Sequence, residues 1–263
     1  MIKVLINGCT GRMGTTNVKV FYEDKDIQIV GGTVESGNPF IGRDVGEVAG
    51  IGKIGITITD DIENVVKEAD VIVDFSVPQA TNILIDYATK YNKKLVIGTT
   101  GLSKEIMDKI VSASEKVAIV QSPNFSVGVN VMLDIVKRVA QVLGEEFDVE
   151  ILEIHHNKKK DSPSGTALKL LESVKEVRKD YNVIYGREGI LGERPKKEIG
   201  VLAIRGGDVV GEHNVMFLGY GERIEIIHKA SSRETFSRGA LRATKFIFSK
   251  EKGLYSMKDV LGL

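Results

Sequence analysis

Two of the chain's four histidines stand side by side in EIHHNKKKDSPSGTA, residues 153–167. Histidine exchanges protons near neutral pH, and a lysine beside it can donate a proton or hold an anion. Lys159 follows His155 by four positions, and Pro163-Ser164-Gly165-Thr166 then has the pattern of a helix entry. Proline suits a first turn, with Ser164 or Thr166 as the capping hydroxyl. The N–H groups around Ser164, Gly165 and Thr166 would form an anion site suited to a carboxylate. His155, His156 and Lys159 are therefore candidates for acid–base and anion-binding work, while Lys158 and Lys160 read as a solvated loop. DVEILEIHH alternates as a strand, which puts His155 and His156 on opposite faces. That makes a poor metal pair, and no cysteine or third histidine lies near, so no metal site is expected. His213 and His228 fall on strand patterns and are expected to be structural.

The second candidate is LINGCTGRMG, which sets Gly8, Gly11 and Gly14 between a short apolar run and a helical pattern. Glycine permits the tight turn and a close approach of diphosphate to backbone, and the helix N-terminus adds N–H groups and a positive dipole end. The spacing is G-x-x-G-x-x-G, with Thr10 where the commoner fingerprint has a glycine. Glu35 ends the second strand pattern, about 20 residues on, where a carboxylate would meet a ribose hydroxyl. Arg12 lies inside the turn and could reach a phosphate. GTTG (98–101) and SPNFSVG (122–128) also follow strand patterns at their carboxyl ends, where open α/β sheets bind ligands.

The elements that must position these groups change character along the chain. Short β-branched runs at 3–6, 27–34, 71–76, 94–100 and 117–123 alternate with amphipathic stretches, which predicts βαβ units and a parallel sheet. Beyond residue 126 come a long helical stretch and then strands with short links, including the hairpin sequence LGYGER. These predict an open, mixed or largely antiparallel sheet in a second α+β domain, with an exposed face that a partner subunit could cover. The tail from ETFSRGALRATKF onward reads as an amphipathic helix returning to the first domain. The expected division is 1–125 plus 236–263 for dinucleotide binding and 126–235 for substrate binding and oligomerisation.

Composition narrows the function. Basic and acidic residues both number 36, so no global field favours nucleic acid or an acidic membrane, and the local basic cluster suits a small anion. A single cysteine, Cys9, rules out a disulfide framework, and no segment reads as a signal peptide or a membrane span. A soluble cytoplasmic protein is expected.

With both motifs in hand, the chain resembles the 4-hydroxy-tetrahydrodipicolinate reductases, also called dihydrodipicolinate reductases, along essentially its whole length. GCTGRMG, VIGTTG, NFSVGVN, EIHHNKKKDSPSGTA, RGGDVVGEH, HKASSRETF and GLYSMKDVL carry the resemblance in the family's order. It implies a Rossmann domain, a substrate domain whose sheet builds a homotetramer, and NADH or NADPH as cofactor for reducing a small cyclic dicarboxylate. It further implies that Gly8, Cys9, Thr10, Gly11, Arg12, Met13 and Glu35 hold the cofactor. Gly98, Thr99 and Thr100 with Ser122, Pro123, Asn124 and Phe125 would complete the pocket. His155 would be the proton donor or acceptor and Lys159 a proton donor, with His156 and the Gly165 and Thr166 amides on the substrate carboxylate, beside the Ser164 N–H read above as part of the anion site. Two positions depart from the family. Ser36 stands where many members carry an arginine that reaches the NADPH 2′-phosphate, which predicts NADH use at least as good; Ser162 stands where alanine is frequent. Semialdehyde dehydrogenases need a cysteine nucleophile in the substrate domain, which this chain lacks. The remaining alternatives are a non-catalytic dinucleotide sensor and an oxidoreductase acting on another small dicarboxylate.

Overall fold

The computed structural model describes all 263 residues. From the N-terminus the elements are β1 (Ile2–Asn7), α1 (Arg12–Tyr22), β2 (Ile27–Thr33), α2 (Val45–Ala49), β3 (Ile58–Thr59), α3 (Ile62–Glu68) and β4 (Val71–Asp74). There follow α4 (Pro78–Lys90), β5 (Lys94–Ile97), α5 (Lys104–Ser114), β6 (Ala118–Gln121), α6 (Val127–Leu143), β7 (Asp148–His155) and α7 (Gly165–Lys175). The chain closes with β8 (Asn182–Ile184), β9 (Glu198–Arg205), β10 (Gly211–Leu218), β11 (Arg223–Ala230), α8 (Glu234–Phe248), β12 (Gly253–Tyr255) and α9 (Met257–Leu261). They form two compact units, Met1–Val127 with Arg233–Leu263, and Gly128–Ser232. No helix is long and apolar enough to cross a membrane.

The first unit is a parallel sheet of seven strands in the order β12-β6-β5-β4-β1-β2-β3. Its central strands are apolar on both faces because helices cover both. Val4 and Ile6 join one core with Val18 and Phe21 of α1 and Ala243 and Ile247 of α8, whereas Leu5 joins the opposite core with Leu84, Ile85 and Ile110. The order reverses at β1, between β2 and β4, and in such folds that reversal opens a crevice at the carboxyl ends of the strands. Two strands of this sheet escaped the sequence reading, as did β8 of the second unit. β3 has only two residues, and β12 enters the sheet by pairing with β6 from the C-terminal tail.

The second unit is a five-stranded sheet ordered β11-β10-β7-β9-β8. It is mixed: β10 runs antiparallel to β11 and β7, while β9 runs parallel to β7 and β8. The largely antiparallel alternative fails at β9, because α7 and β8 lie between β7 and β9 and make a crossover of the kind parallel pairing needs. LGYGER does close a hairpin, with the Gly219 N–H donating to the Glu222 carbonyl. One face of the sheet packs Val149, Ile151, Val201, Val215 and Phe217 against Met132, Val136 and Ala140 of α6 and Leu170 and Val174 of α7. On the opposite face Leu152, Ile154, Leu202, Met216 and Ile227 are half-buried or exposed.

Candidate active site

The glycine turn grows directly out of β1. Gly8 has φ +68°, in the left-handed region that favours glycine, and its carbonyl accepts the Gly11 N–H at 3.0 Å. A Cβ at Gly14 would overlap that carbonyl and the Cys9 backbone, so only glycine lets α1 sit this close to the turn. Gly11 caps α1 without a side-chain hydrogen bond, leaving the helix start available to an anion. A cavity of about 540 Å³ opens here, lined by Asn7, Gly8, Thr10, Gly11, Glu35, Ser36 and the 75–80 segment among others. That volume suits a small-molecule cofactor site. Glu35 is held by Asn38, whose Nδ2 donates to its carboxylate at 2.8 Å. Glycines without a Cβ, a helix N-terminus and a carboxylate at the end of β2 together fit the diphosphate and ribose of a dinucleotide.

The other residues expected around the cofactor divide into those that face outward and those that support. Cys9 turns inward: its thiol lies in the core, burial pushes its pKa up to about 12, and its N–H donates to the Thr33 carbonyl. Arg12 is exposed, Met13 is half-buried, and neither lines the cavity. Thr99 is buried, with its hydroxyl donating to Asp74 at 3.0 Å and accepting the Ser76 N–H at 3.1 Å. A Cβ at Gly98 would overlap the Phe75 ring, which packs 5.2 Å from the buried Phe125 ring. Ser122 donates to the Asn124 carbonyl at 2.8 Å, and Asn124 Oδ1 accepts the Ser126 N–H, so this loop is set by its own side chains. Thr100 and Pro123 are exposed at the ends of β5 and β6.

Sequence reasoning missed the group that ties these ends together. Asp74 is wholly buried and accepts from Asn7 Nδ2 (2.8 Å), Ser76 Oγ (2.5 Å), Thr81 Oγ1 (2.5 Å) and Thr99 Oγ1. Asn7 Oδ1 in turn accepts from Thr33 Oγ1 at 2.9 Å. The carboxyl ends of β1, β2, β4 and β5 are thus joined through one carboxylate. The available signal was an aspartate closing the apolar run VIVD.

In the second unit His155 ends β7 and is 8% exposed. Its Nδ1 lies 2.6 Å from Oε2 of Glu153, two positions back on the same strand face. Glu153 is fully buried and is gripped by both terminal nitrogens of Arg205, at 2.7 and 2.8 Å. Burial alone would raise the Glu153 pKa, but Arg205, His155 and the Ser164 N–H hold it below the ordinary range. Burial pushes the His155 pKa down while Glu153 pulls it back. Ser164 caps α7, its Oγ accepting the Ala167 N–H, and that Oγ lies 3.0 Å from His213 Nε2. The His213 ring meets the His155 ring edge-on at 5.2 Å, and burial drops its pKa to about 4.

Ser164 is therefore committed to the protein through both its N–H, which donates to Glu153, and its hydroxyl. Its place at the start of α7 is thus fixed from within the fold. Gly165 is exposed, with open space where a Cβ would go, and Thr166 is half-buried beside it. His156 lies beyond the strand end rather than on its opposite face; its N–H donates to the Val209 carbonyl, and its buried Nδ1 has no protein partner. Lys159 is paired with Asp161 at 2.9 Å. His213, expected to be structural only, touches both Ser164 and His155.

Comparison with known proteins decides the family. Residues 2–125 match the profile of the dihydrodipicolinate reductase N-terminus, and residues 128–261 that of its C-terminus. The chain belongs to the dihydrodipicolinate reductase family. It is 48% identical to the 4-hydroxy-tetrahydrodipicolinate reductase of Trichlorobacter lovleyi and 46% identical to that of Geotalea daltonii, with all of both chains covered in each case. Among solved structures, dipicolinate-bound dihydrodipicolinate reductase from Paenisporosarcina sp. shares the fold at TM-score 0.80 and 23% identity, covering 98% of this chain and 99% of that one. The Lactobacillus casei myo-inositol dehydrogenase, in complex with NAD(H) and myo-inositol, shares the architecture at TM-score 0.60 and 16% identity, covering 99% of this chain and 90% of that one. For this member of the reductase family, the histidine–lysine loop and the glycine turn each occupy a defined place in one of the two units.

Proposed function

We propose that this chain reduces 4-hydroxy-tetrahydrodipicolinate with NADH or NADPH in the diaminopimelate route to lysine. The observation that carries the reading is full-length identity of 44–48% to reductases of that name. The His155–Thr166 loop supplies the chemistry such a substrate needs. When bound, the dinucleotide supplies a hydride to the conjugated imine that remains after water loss from the substrate.

In the first unit, Gly8, Gly11, Arg12 and the start of α1 hold the diphosphate, and Glu35 holds the ribose. Gly98–Thr100 and Ser122–Phe125 shape the surrounding loops. In the second unit, the backbone at Gly165 and Thr166 and the His156 side chain bind carboxylate. Reduction leaves an enamine that must be protonated, and His155 delivers that proton with Lys159 as second donor. Cations beside the carboxylates also offset charge in the transition state. Ser36, in place of an arginine, leaves no cation after Glu35 for a 2′-phosphate, so NADH serves at least as well as NADPH. The half-exposed face of the second sheet is assigned to a homotetramer, and the enzyme to the cytoplasm.

The test is a coupled assay in which the preceding synthase condenses pyruvate and aspartate semialdehyde while NADH and NADPH absorbance are followed in parallel. Oxidation that requires both the synthase and this chain is expected. Dinucleotide binding with no synthase-dependent oxidation would contradict the reading and leave a sensor. A kcat/KM many-fold better for NADPH would overturn the cofactor assignment alone.

A further inference from the structure

His155 has two ring nitrogens, and the fold commits one of them. Glu153 Oε2 sits 2.6 Å from Nδ1, and the same oxygen accepts from Arg205 Nη1 at 2.8 Å. Its Oε1 accepts from Arg205 Nη2 at 2.7 Å and from the Ser164 N–H at 2.9 Å. With Arg205 and Ser164 supplying only donors, the carboxylate is an acceptor, so Nδ1 must carry a proton. The parallel register of β7 and β9 sets Arg205 directly opposite His155, and the antiparallel register with β10 sets His213 opposite Glu153. Nε2 is kept clear on its own side, since a Cβ at buried Gly211 would come within 2.9 Å of it.

We propose that Glu153 is the positioning residue of this site, orienting His155 through Oε2 and pinning the N-terminus of α7 through Oε1. The proposal rests on the reading of His155 as proton donor. One buried carboxylate then ties the proton-transfer group to the helix start assigned to the substrate carboxylate. Neutral His155 carries its proton on Nδ1 and leaves Nε2 as an acceptor. The imidazolium keeps Nδ1–H on Glu153 and presents Nε2–H outward. Arg205 balances the charge of Glu153. The other charged or titratable groups around His155 are Lys159 with its partner Asp161 and His213, which faces His228 of β11.

Glu153→Gln should lower kcat on the order of 10²-fold and leave the KM for the dinucleotide unchanged. The active form is the imidazolium, lost as pH rises through the His155 pKa. Removing the carboxylate that raises this pKa should therefore move the alkaline limb of the kcat profile to lower pH. A purely structural role would reduce the folded fraction without moving that limb. Wild-type kcat with an unshifted profile in the variant would overturn the proposal. Should the variant not fold, the ¹⁵N imidazole spectrum of the wild-type chain decides, with only four histidines to assign. Neutral His155 is expected with its proton on Nδ1, and the Nε2–H tautomer would overturn the proposal. That spectrum needs no substrate, so a wild-type chain without reductase activity would sink the functional reading and leave the Glu153–His155 pairing standing.

Discussion

The glycine turn and the histidine loop present chemistry in opposite ways. In the first unit the working surface is largely backbone: Gly8 in a left-handed conformation, the bare cap of α1, and side chains such as Cys9 and Thr99 turned inward as support. In the second unit it is side chains, with His155, Glu153, Arg205, Ser164 and His213 brought from three strands and a helix cap into one buried network. A backbone site depends on residues that are absent or small, whereas a side-chain site depends on every partner being satisfied. The first kind should break by crowding and the second by removing or adding a single charge.

Crowding gives the largest expected effect. Gly14→Ala forces a methyl into the Gly8 carbonyl and the Cys9 backbone, and should cost about 3 kcal/mol while abolishing tight dinucleotide binding. Urea unfolding with a dinucleotide titration checks it; unchanged affinity would show that the turn does not shape the cofactor site.

In the histidine network, acid should act where crowding does not. His213 falls from its ordinary 6.5 to about 4 in the fold, so the unfolded chain binds the proton more readily between those values. Stability from keeping His213 neutral is complete above about pH 6.5 and is lost as pH drops toward 4, by up to about 3 kcal/mol. His213→Asn should flatten that part of the urea-midpoint profile between pH 7 and 4.5; an equally steep profile would place the acid sensitivity elsewhere.

Asp74 tests whether the first unit also depends on a buried charge. Asp74→Asn brings an amide against donors from Asn7, Ser76, Thr81 and Thr99, and should cost about 2 kcal/mol with weakened dinucleotide binding. A stability loss with affinity intact would make this network a matter of folding alone. The smallest change expected is at the exposed Ser36. Ser36→Arg should shift the NADPH to NADH ratio of kcat/KM toward NADPH by about 1 kcal/mol, close to fivefold, and no shift would place 2′-phosphate recognition away from this position.

The two sites were unequally legible for the same reason that they break differently. Gly8, Gly11 and Gly14 lie in one short segment whose spacing encodes its own turn, so the cradle could be read locally. His155, Lys159 and the Ser164 cap could be read from one segment too. Glu153 was within reach, because the alternation of EILEIH puts it on the same face as His155. Arg205, Gly211 and His213 were not, since their approach depends on the register of β9 and β10 against β7, which no local pattern states. The parallel pairing of β9 had a clue in the long, helix-containing connection from β7. Cys9 shows the limit of motif reasoning: it stands inside the fingerprint, yet its side chain belongs to the core.

The most direct test of His155 as proton donor is the His155→Gln variant, assayed for turnover with the coupled synthase and for dinucleotide affinity on the same preparation. A proton-donating role for His155 predicts kcat lower by about 10²-fold or more with affinity for the dinucleotide unchanged, because His155 and the glycine turn belong to separate units. Near-normal turnover in that variant would contradict it.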